Sequence, residues 1–198
     1  MKPLVLGVTG GIGSGKSAVS RLLADYCLAP LIDIDRACRH LLQIDQPGWR
    51  GLRQLLAPSF FLDDGEVDRA LLRECLFQDA ALRQQVDSLL HPLARSVLRE
   101  SLAAVNGALV LVEVPLLYEA GWESEVDRVL VVYARRGVRC RRIVDRDGCS
   151  QRSAVRAMAA QMPLAEKVCR ADYCIDNSGP WTSTRKAVIM LGDTLPVA

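Results

Sequence analysis

Eight residues near the start of the chain have types and spacing that suit phosphate chemistry. Gly10-Gly11-Ile12-Gly13-Ser14-Gly15-Lys16-Ser17 fits G-x-x-x-x-G-K-[ST]. The glycines let the backbone curl so that several N–H groups face one anion. A helix beginning near Lys16 adds its positive end. Lys16 can reach the β- and γ-phosphates of a nucleoside triphosphate, and Ser17 can offer an oxygen to Mg²⁺. The flanks suit the motif. Leu4 to Val8 is a short apolar run, and Val19, Leu22 and Leu23 fall on one face of a helix-like stretch from Lys16 to about Tyr26. A Gly-rich turn that binds nothing would need neither flank.

The motif does not separate kinases from GTPases, motor ATPases or switches. A guanine-reading N-K-x-D is absent from the sequence, and Asp145-Arg146-Asp147-Gly148 lies between two Arg-rich helical stretches rather than just after a buried strand. An ATP-driven switch stays open, because Leu109-Val110-Leu111-Val112-Glu113 resembles an apolar strand ending in an acid. A kinase needs an acid for the attacking hydroxyl, an acceptor pocket, and cations over the transferring group. Asp33-Ile34-Asp35 follows a second short strand, at the carboxyl end where α/β sheets gather ligands. Asp35 then reads as base, Asp33 as its orienter or a holder of metal waters, and Arg39 shares their helical face one turn on. The alternative is an Asp35 that caps the next helix and an Arg39 on the surface.

Further cations lie between Arg135 and Arg156, where eight arginines face only Asp145 and Asp147. That segment carries +6 within a chain of net +2. Clustered guanidinium groups favour polyphosphate or nucleic acid. Arg142 and Arg146, four apart, could clamp phosphates when a lid closes. The alternatives are a solvated basic face or nucleic-acid binding. Residues 134–172 contain no Trp, Tyr or Phe, which weakens a stacking surface for single strands.

The elements that must position these groups follow from periodicity. Strands are expected at 4–8, 31–33, 108–114, 128–133 and 173–175, with helices between them. Buried strands alternating with helices predict an α/β fold with a parallel sheet. Residues 36–104 read as mostly helical, broken at Pro47-Gly48, Pro58, Asp63-Asp64-Gly65 and His91-Pro92. They form an insertion between the second and third strands. The predicted division is a core of 1–35, 105–134 and 170–198, a helical acceptor insertion of 36–104, and a lid of 135–169. With 198 residues, half hydrophobic and 24% charged, the chain can bury a core without staples. Its seven cysteines form no C-x-x-C pair and read as reduced thiols. No apolar run approaches a membrane span, and the start does not read as a signal peptide. A cytoplasmic protein is expected, without membrane, nucleic acid or an obligate protein partner.

In their order these residues resemble the dephospho-CoA kinase family of P-loop kinases. The resemblance runs from Val8-Thr9-Gly10 through Ser17, and Asp33, Asp35 and Arg39 match D-x-D-x-x-x-R. It continues through Asp64-Gly65, Arg69, Leu72 and Phe77, then His91-Pro92-Leu93 and Val114-Pro115-Leu116-Leu117-Tyr118-Glu119. Its most specific part is Arg146-Asp147-Gly148, Ala160-Gln161-Met162-Pro163-Leu164, Lys167, Ala171-Asp172-Tyr173 and Ile175-Asp176-Asn177-Ser178-Gly179.

The resemblance implies a P-loop kinase-like core, a helical acceptor domain and an Arg-rich lid. It implies transfer of the ATP γ-phosphoryl group to the ribose 3′-hydroxyl of dephospho-CoA, with Mg²⁺. Asp35 corresponds to the base, Arg142 and Arg146 to lid arginines, and Gly11 through Ala18 with Asn177 to the ATP site. His91, Pro115, Leu116 and Leu117 fall on the acceptor side, although His91-Pro92 also suits a helix start and Pro115-Leu117 a plain strand exit. Three positions depart from the family pattern. Ala18 stands where Thr is frequent, Glu113 where Asp is common, and Ala157 where Arg is common. A related small-metabolite or nucleotide kinase and a nucleotide-dependent switch remain the alternatives.

Overall fold

A computed structural model describes residues 2–196, with Phe77 described in its backbone only. Met1, Val197 and Ala198, at the ends of the expected core segments, lie outside the described residues. The chain divides into two compact units, residues 1–33 with 105–198, and residues 34–104. Residues 135–169 group with the sheet in the first unit.

The first unit is built on five parallel strands in the order β2-β3-β1-β4-β5. These are β1 (Leu4–Gly10), β2 (Leu31–Asp33), β3 (Leu109–Glu113), β4 (Arg128–Tyr133) and β5 (Tyr173–Asp176). All five residues of β3 are buried, as a strand covered on both faces requires. Alternation sorts the side chains. Leu6, Val8, Leu109, Leu111, Leu130 and Val132 share one core with Val19 and Leu23 of α1 (Lys16–Cys27) and Val188 of α9 (Trp181–Gly192). On the opposite face Gly7 leaves room for Leu117, since a Cβ there would lie 2.8 Å from a Leu117 methyl. Burying a leucine this way is worth about 2 kcal/mol.

Three more helices complete this unit: α6 (Arg136–Asp147), α7 (Gln151–Ala159) and α8 (Leu164–Arg170). α7 ends at Ala159, and α8 starts beyond Pro163, which cannot continue a helix.

The second unit has four helices: α2 (Ile34–Leu41), α3 (Pro47–Leu55), α4 (Arg69–Gln78) and α5 (Ala80–Ala103). Leu52, Leu56, Val67, Leu72 and Val86 form its own core, walled by Trp49, Phe60 and Phe61. Asp68 and Asp79 cap α4 and α5 by accepting two backbone N–H bonds each. The break expected at His91-Pro92 does not occur. α5 runs through Pro92, which removes one internal hydrogen bond without ending a helix of 24 residues packed along its length. His91-Pro92 is thus mid-helix and not a helix start.

Candidate active site

Asp33, Glu113 and Val8 stand at one level of the sheet. Asp33 on β2 pairs with Glu113 on β3, and Glu113 pairs with Val8 on β1. Gly10 ends β1, and the loop that follows delivers the chain into α1. Gly13 and Gly15 take positive φ values of 76° and 83°, which other residues adopt only under strain. A Cβ on Gly15 would also collide with the Asn177 amide. The first turn of α1 holds no acidic residue, so its positive end is not neutralised by its own side chains.

Glu113 organises the mouth of this loop. Its Oε1 accepts from the Lys16 ammonium and, at 2.5 Å, from the Ser17 hydroxyl. The carboxylate and the ammonium are both largely buried. Burial alone would raise the Glu113 carboxyl, but Lys16 and the hydroxyls of Ser17 and Ser20 outweigh it and hold the carboxyl below its ordinary value. The signal for this role was in the sequence, as an acid ending the most apolar strand. The methylene that distinguishes Glu from Asp lets the carboxylate reach both P-loop residues.

The loop's carbonyls are tied outward. Asn177 donates to the Ser14 carbonyl at 2.8 Å and accepts from the Thr184 hydroxyl at 2.9 Å. Arg142 donates to the carbonyls of Ser14 at 3.3 Å and Asn177 at 3.0 Å. Arg139 donates to the Ile12 carbonyl at 2.9 Å, while the Ile12 N–H donates to Gln161 Oε1 at 2.7 Å. The Ser14 N–H is taken by the Gly11 carbonyl at 3.0 Å, and with the carbonyls of Ile12 and Ser14 held by donors the amides of Gly13 and Gly15 can turn toward an anion.

Several expected site residues have specific places. Arg142 sits on loop carbonyls, and Arg146 forks onto its neighbour Asp147 at 2.7 and 2.8 Å. Ala18 is exposed on the first turn of α1 and leaves no hydroxyl beside the loop. The Thr9 hydroxyl holds the Pro115 carbonyl at 3.1 Å. Leu116 is exposed, whereas Leu117 is fully buried beside Gly7 and belongs to the core. In the second unit, Asp35 lies inside α2 rather than at its cap, because the helix begins at Ile34. The Arg39 guanidinium bonds back to the Asp35 carbonyl at 3.2 Å. His91 faces Asp87, one turn earlier on α5, at 3.7 Å.

Sequence reasoning missed the roles of Arg139 and Gln161 and the pairing of Lys167 with Glu119. Arg139, Arg142, Ile143 and Arg146 recur at helical spacing, and that face was the available signal. Lys167 is completely buried, with its ammonium 2.7 Å from Glu119 Oε1. Glu119 also accepts the Met162 N–H at 3.1 Å, so the pair ties the loop after β3 to the start of α8. Lys167→Ala is expected to cost roughly 3 kcal/mol by chemical denaturation, because the carboxylate loses its partner. Lys167→Met with Glu119→Gln should recover most of that. A single variant as stable as the parent would remove the pair from the stability account.

The chain has relatives along nearly its whole length. The family model for dephospho-CoA kinase matches residues 4–182. A dephospho-CoA kinase from Geobacillus kaustophilus is 36% identical over 95% of this chain and 94% of its own length. A crystal structure from Thermus thermophilus superposes with a TM-score of 0.86 at 31% identity, covering 99% of this chain and all of that one. The dephospho-CoA kinase from Campylobacter jejuni, at 22% identity and a TM-score of 0.65 over 94% of both chains, shares the fold. A parallel sheet with a built phosphate loop, matched over nearly its whole length at this identity, places the chain in the dephospho-CoA kinase family.

Proposed function

We propose that this protein transfers the γ-phosphoryl group of ATP to the ribose 3′-hydroxyl of dephospho-CoA, giving CoA and ADP, the last step of coenzyme A synthesis. The observation that carries the reading is the loop from Gly10 to Ser17, its carbonyls tied outward and its lysine held at the strand end by Glu113. Its amides and Lys16 would hold the β- and γ-phosphates. Asp35 is the proposed base for the 3′-hydroxyl, with Asp33 orienting it. Arg142 and Arg146 would leave their present partners to meet phosphate when residues 135–169 close over the nucleotide. The unit of residues 34–104, with Arg39 and His91, would serve the acceptor together with Pro115 and the exposed Leu116, while Leu117 is core.

Ser17 and Glu113 fit a hard cation, because both present oxygen at the loop mouth and one carboxylate already draws a hydroxyl to it. Among the described residues no three His, Cys, Asp or Glu side chains are grouped to hold a metal by themselves. Ser17 with Glu113 would hold the Mg²⁺ that accompanies the triphosphate, and the ion would offset part of that ligand's charge. The proposed place of work is the cytoplasm, beside ATP; no described helix is long and apolar enough to cross a membrane.

The test is an acceptor assay read by mass spectrometry. The protein, Mg²⁺ and ATP are incubated with dephospho-CoA, and separately with AMP, CMP, UMP, GMP and adenosine. A product one phosphate heavier from dephospho-CoA alone is expected. Phosphorylation of a nucleoside monophosphate in its place would move the assignment to a nucleotide kinase. ATP bound without any product would move it to a switch.

A further inference from the structure

Arg139 is a buried arginine, only 8% exposed, on the face of α6 that meets the phosphate loop. Among the described residues its guanidinium makes one hydrogen bond, from Nε to the Ile12 carbonyl, and no carboxylate lies within ion-pair distance. The rest of the group lies flat against Gly11. A Cβ there would come within 2.5 Å of Nη2 and 2.7 Å of Cζ. Gly11 therefore gives the guanidinium room to reach the loop. Burial pulls Arg139 below its ordinary value, as expected of a charge without a counterion.

A neutral side chain could make the bond to Ile12. Burying a full positive charge for that one bond costs stability unless something negative compensates it. Carboxylates are available on α6 itself, at Asp145 and Asp147, but Arg146 takes Asp147 and neither reaches Arg139. The group closest to Arg139 is the loop that binds the triphosphate in the function proposed above.

We propose that Arg139 is a built-in counter-charge for the triphosphate. It lies against the phosphate loop with no carboxylate within ion-pair distance, and the bound anion would supply its counter-charge. It contributes attraction through the loop without touching the reacting atoms, so it acts as a binding determinant and not as a catalytic residue. The proposal rests on the reading of the loop as the ATP site. It predicts that the contribution grows with the number of phosphates seated at the loop, so ATP depends on Arg139 more than ADP does, and ADP more than AMP. Because the charge is buried, added salt should weaken this dependence less than it would for a surface arginine.

The experiment is isothermal titration of the full chain with Mg-ATP, Mg-ADP and AMP, run beside thermal melts without nucleotide. The proteins are the parent, Arg139→Gln, Arg139→Lys and Gly11→Ala. Arg139→Gln should keep the bond to Ile12, melt at or above the parent's temperature, and bind ATP roughly ten-fold more weakly, a loss of about 1.4 kcal/mol. AMP should change little. Arg139→Lys, which retains the charge, should recover most of the ATP affinity. Gly11→Ala, which pushes the guanidinium off the loop, should resemble Arg139→Gln. A structural role would give the opposite pattern, with a lower melting temperature for Arg139→Gln and equal ATP affinity in the folded protein. That result, or equal losses for ATP and AMP, would overturn the proposal. Failure of the parent itself to bind ATP would instead sink the reading of the site.

Discussion

Lys16→Ala is expected to slow phosphoryl transfer to dephospho-CoA by roughly a thousand-fold, the scale seen when one preorganised donor to developing charge is removed. The ammonium is held at the loop mouth by Glu113, so its position is fixed by a protein partner and not left to solvent. Preorganisation of this kind costs no rearrangement in the transition state, and that is why a single charge can matter so much.

The same substitution has a second, independent readout in stability. Glu113 is held below its ordinary value mainly because Lys16 and the Ser17 hydroxyl outweigh its burial. A carboxyl lowered in the folded state contributes stability above its unfolded value, and that contribution is lost as pH falls through the folded value. Without the ammonium, burial is opposed only by hydroxyls, and the Glu113 carboxyl must rise. Lys16→Ala should therefore be less stable than the parent at neutral pH, and the two should converge in acid as Glu113 takes its proton. Thermal midpoints from neutral to acid pH check this. Parallel curves would show that the ion pair carries no net stability, whatever the effect on turnover. Lys16→Ala with Glu113→Gln separates the two effects, since it should regain stability without regaining transfer.

How much of this was legible in the sequence depended on whether the signal was local. The five parallel strands and the helical run of 36–104 were, because apolar runs bounded by glycine and helical periodicity are properties of neighbouring residues. The phosphate loop was legible for the same reason. His91-Pro92 misled because proline's local preference yields when a long helix is packed along its length. The alternative reading, in which Asp35 caps the next helix, sets the helix start two residues late, since helix ends shift by a residue or two with hydrogen bonds that sequence does not display. The outward ties on the loop had no local signal, and only Asn177 was placed with the loop, through the family resemblance. Asn177, Gln161 and Arg139 reach Ser14 and Ile12 from positions more than a hundred residues away, and nothing local marks those pairings. The same holds for Lys167 with Glu119. A lysine in an ordinary helix carries no sign of being fully buried until its partner is in place.

Asp35→Asn should lower kcat for dephospho-CoA by about a thousand-fold, within the usual range for loss of a general base, and leave the KM for ATP near its parent value. Asp35 lies in the first turn of α2, outside the phosphate loop proposed to bind ATP. A negative charge there favours the helix by only a few tenths of a kcal/mol, so the asparagine variant should melt close to the parent. The rate profile carries the mechanistic content. A base must be unprotonated, so the parent's kcat should fall on the acid side, and the asparagine variant should lack that limb. Asp33→Asn, two residues earlier at the level of Glu113, should have a smaller effect and keep the limb. Phosphoryl transfer passes through a loose transition state in which the nucleophile loses its proton late, so positioning and charge can outweigh the base. Asp35→Asn that turned over at the parent's rate would mean that this protein relies on them alone. The comparison with Lys16 then distinguishes the two roles. Loss of Lys16 should suppress both transfer to the alcohol and slow hydrolysis of ATP by water, because both need charge stabilised on the same phosphoryl group. Loss of Asp35 should suppress only the first, because water can reach that group without the residue that prepares the 3′-hydroxyl.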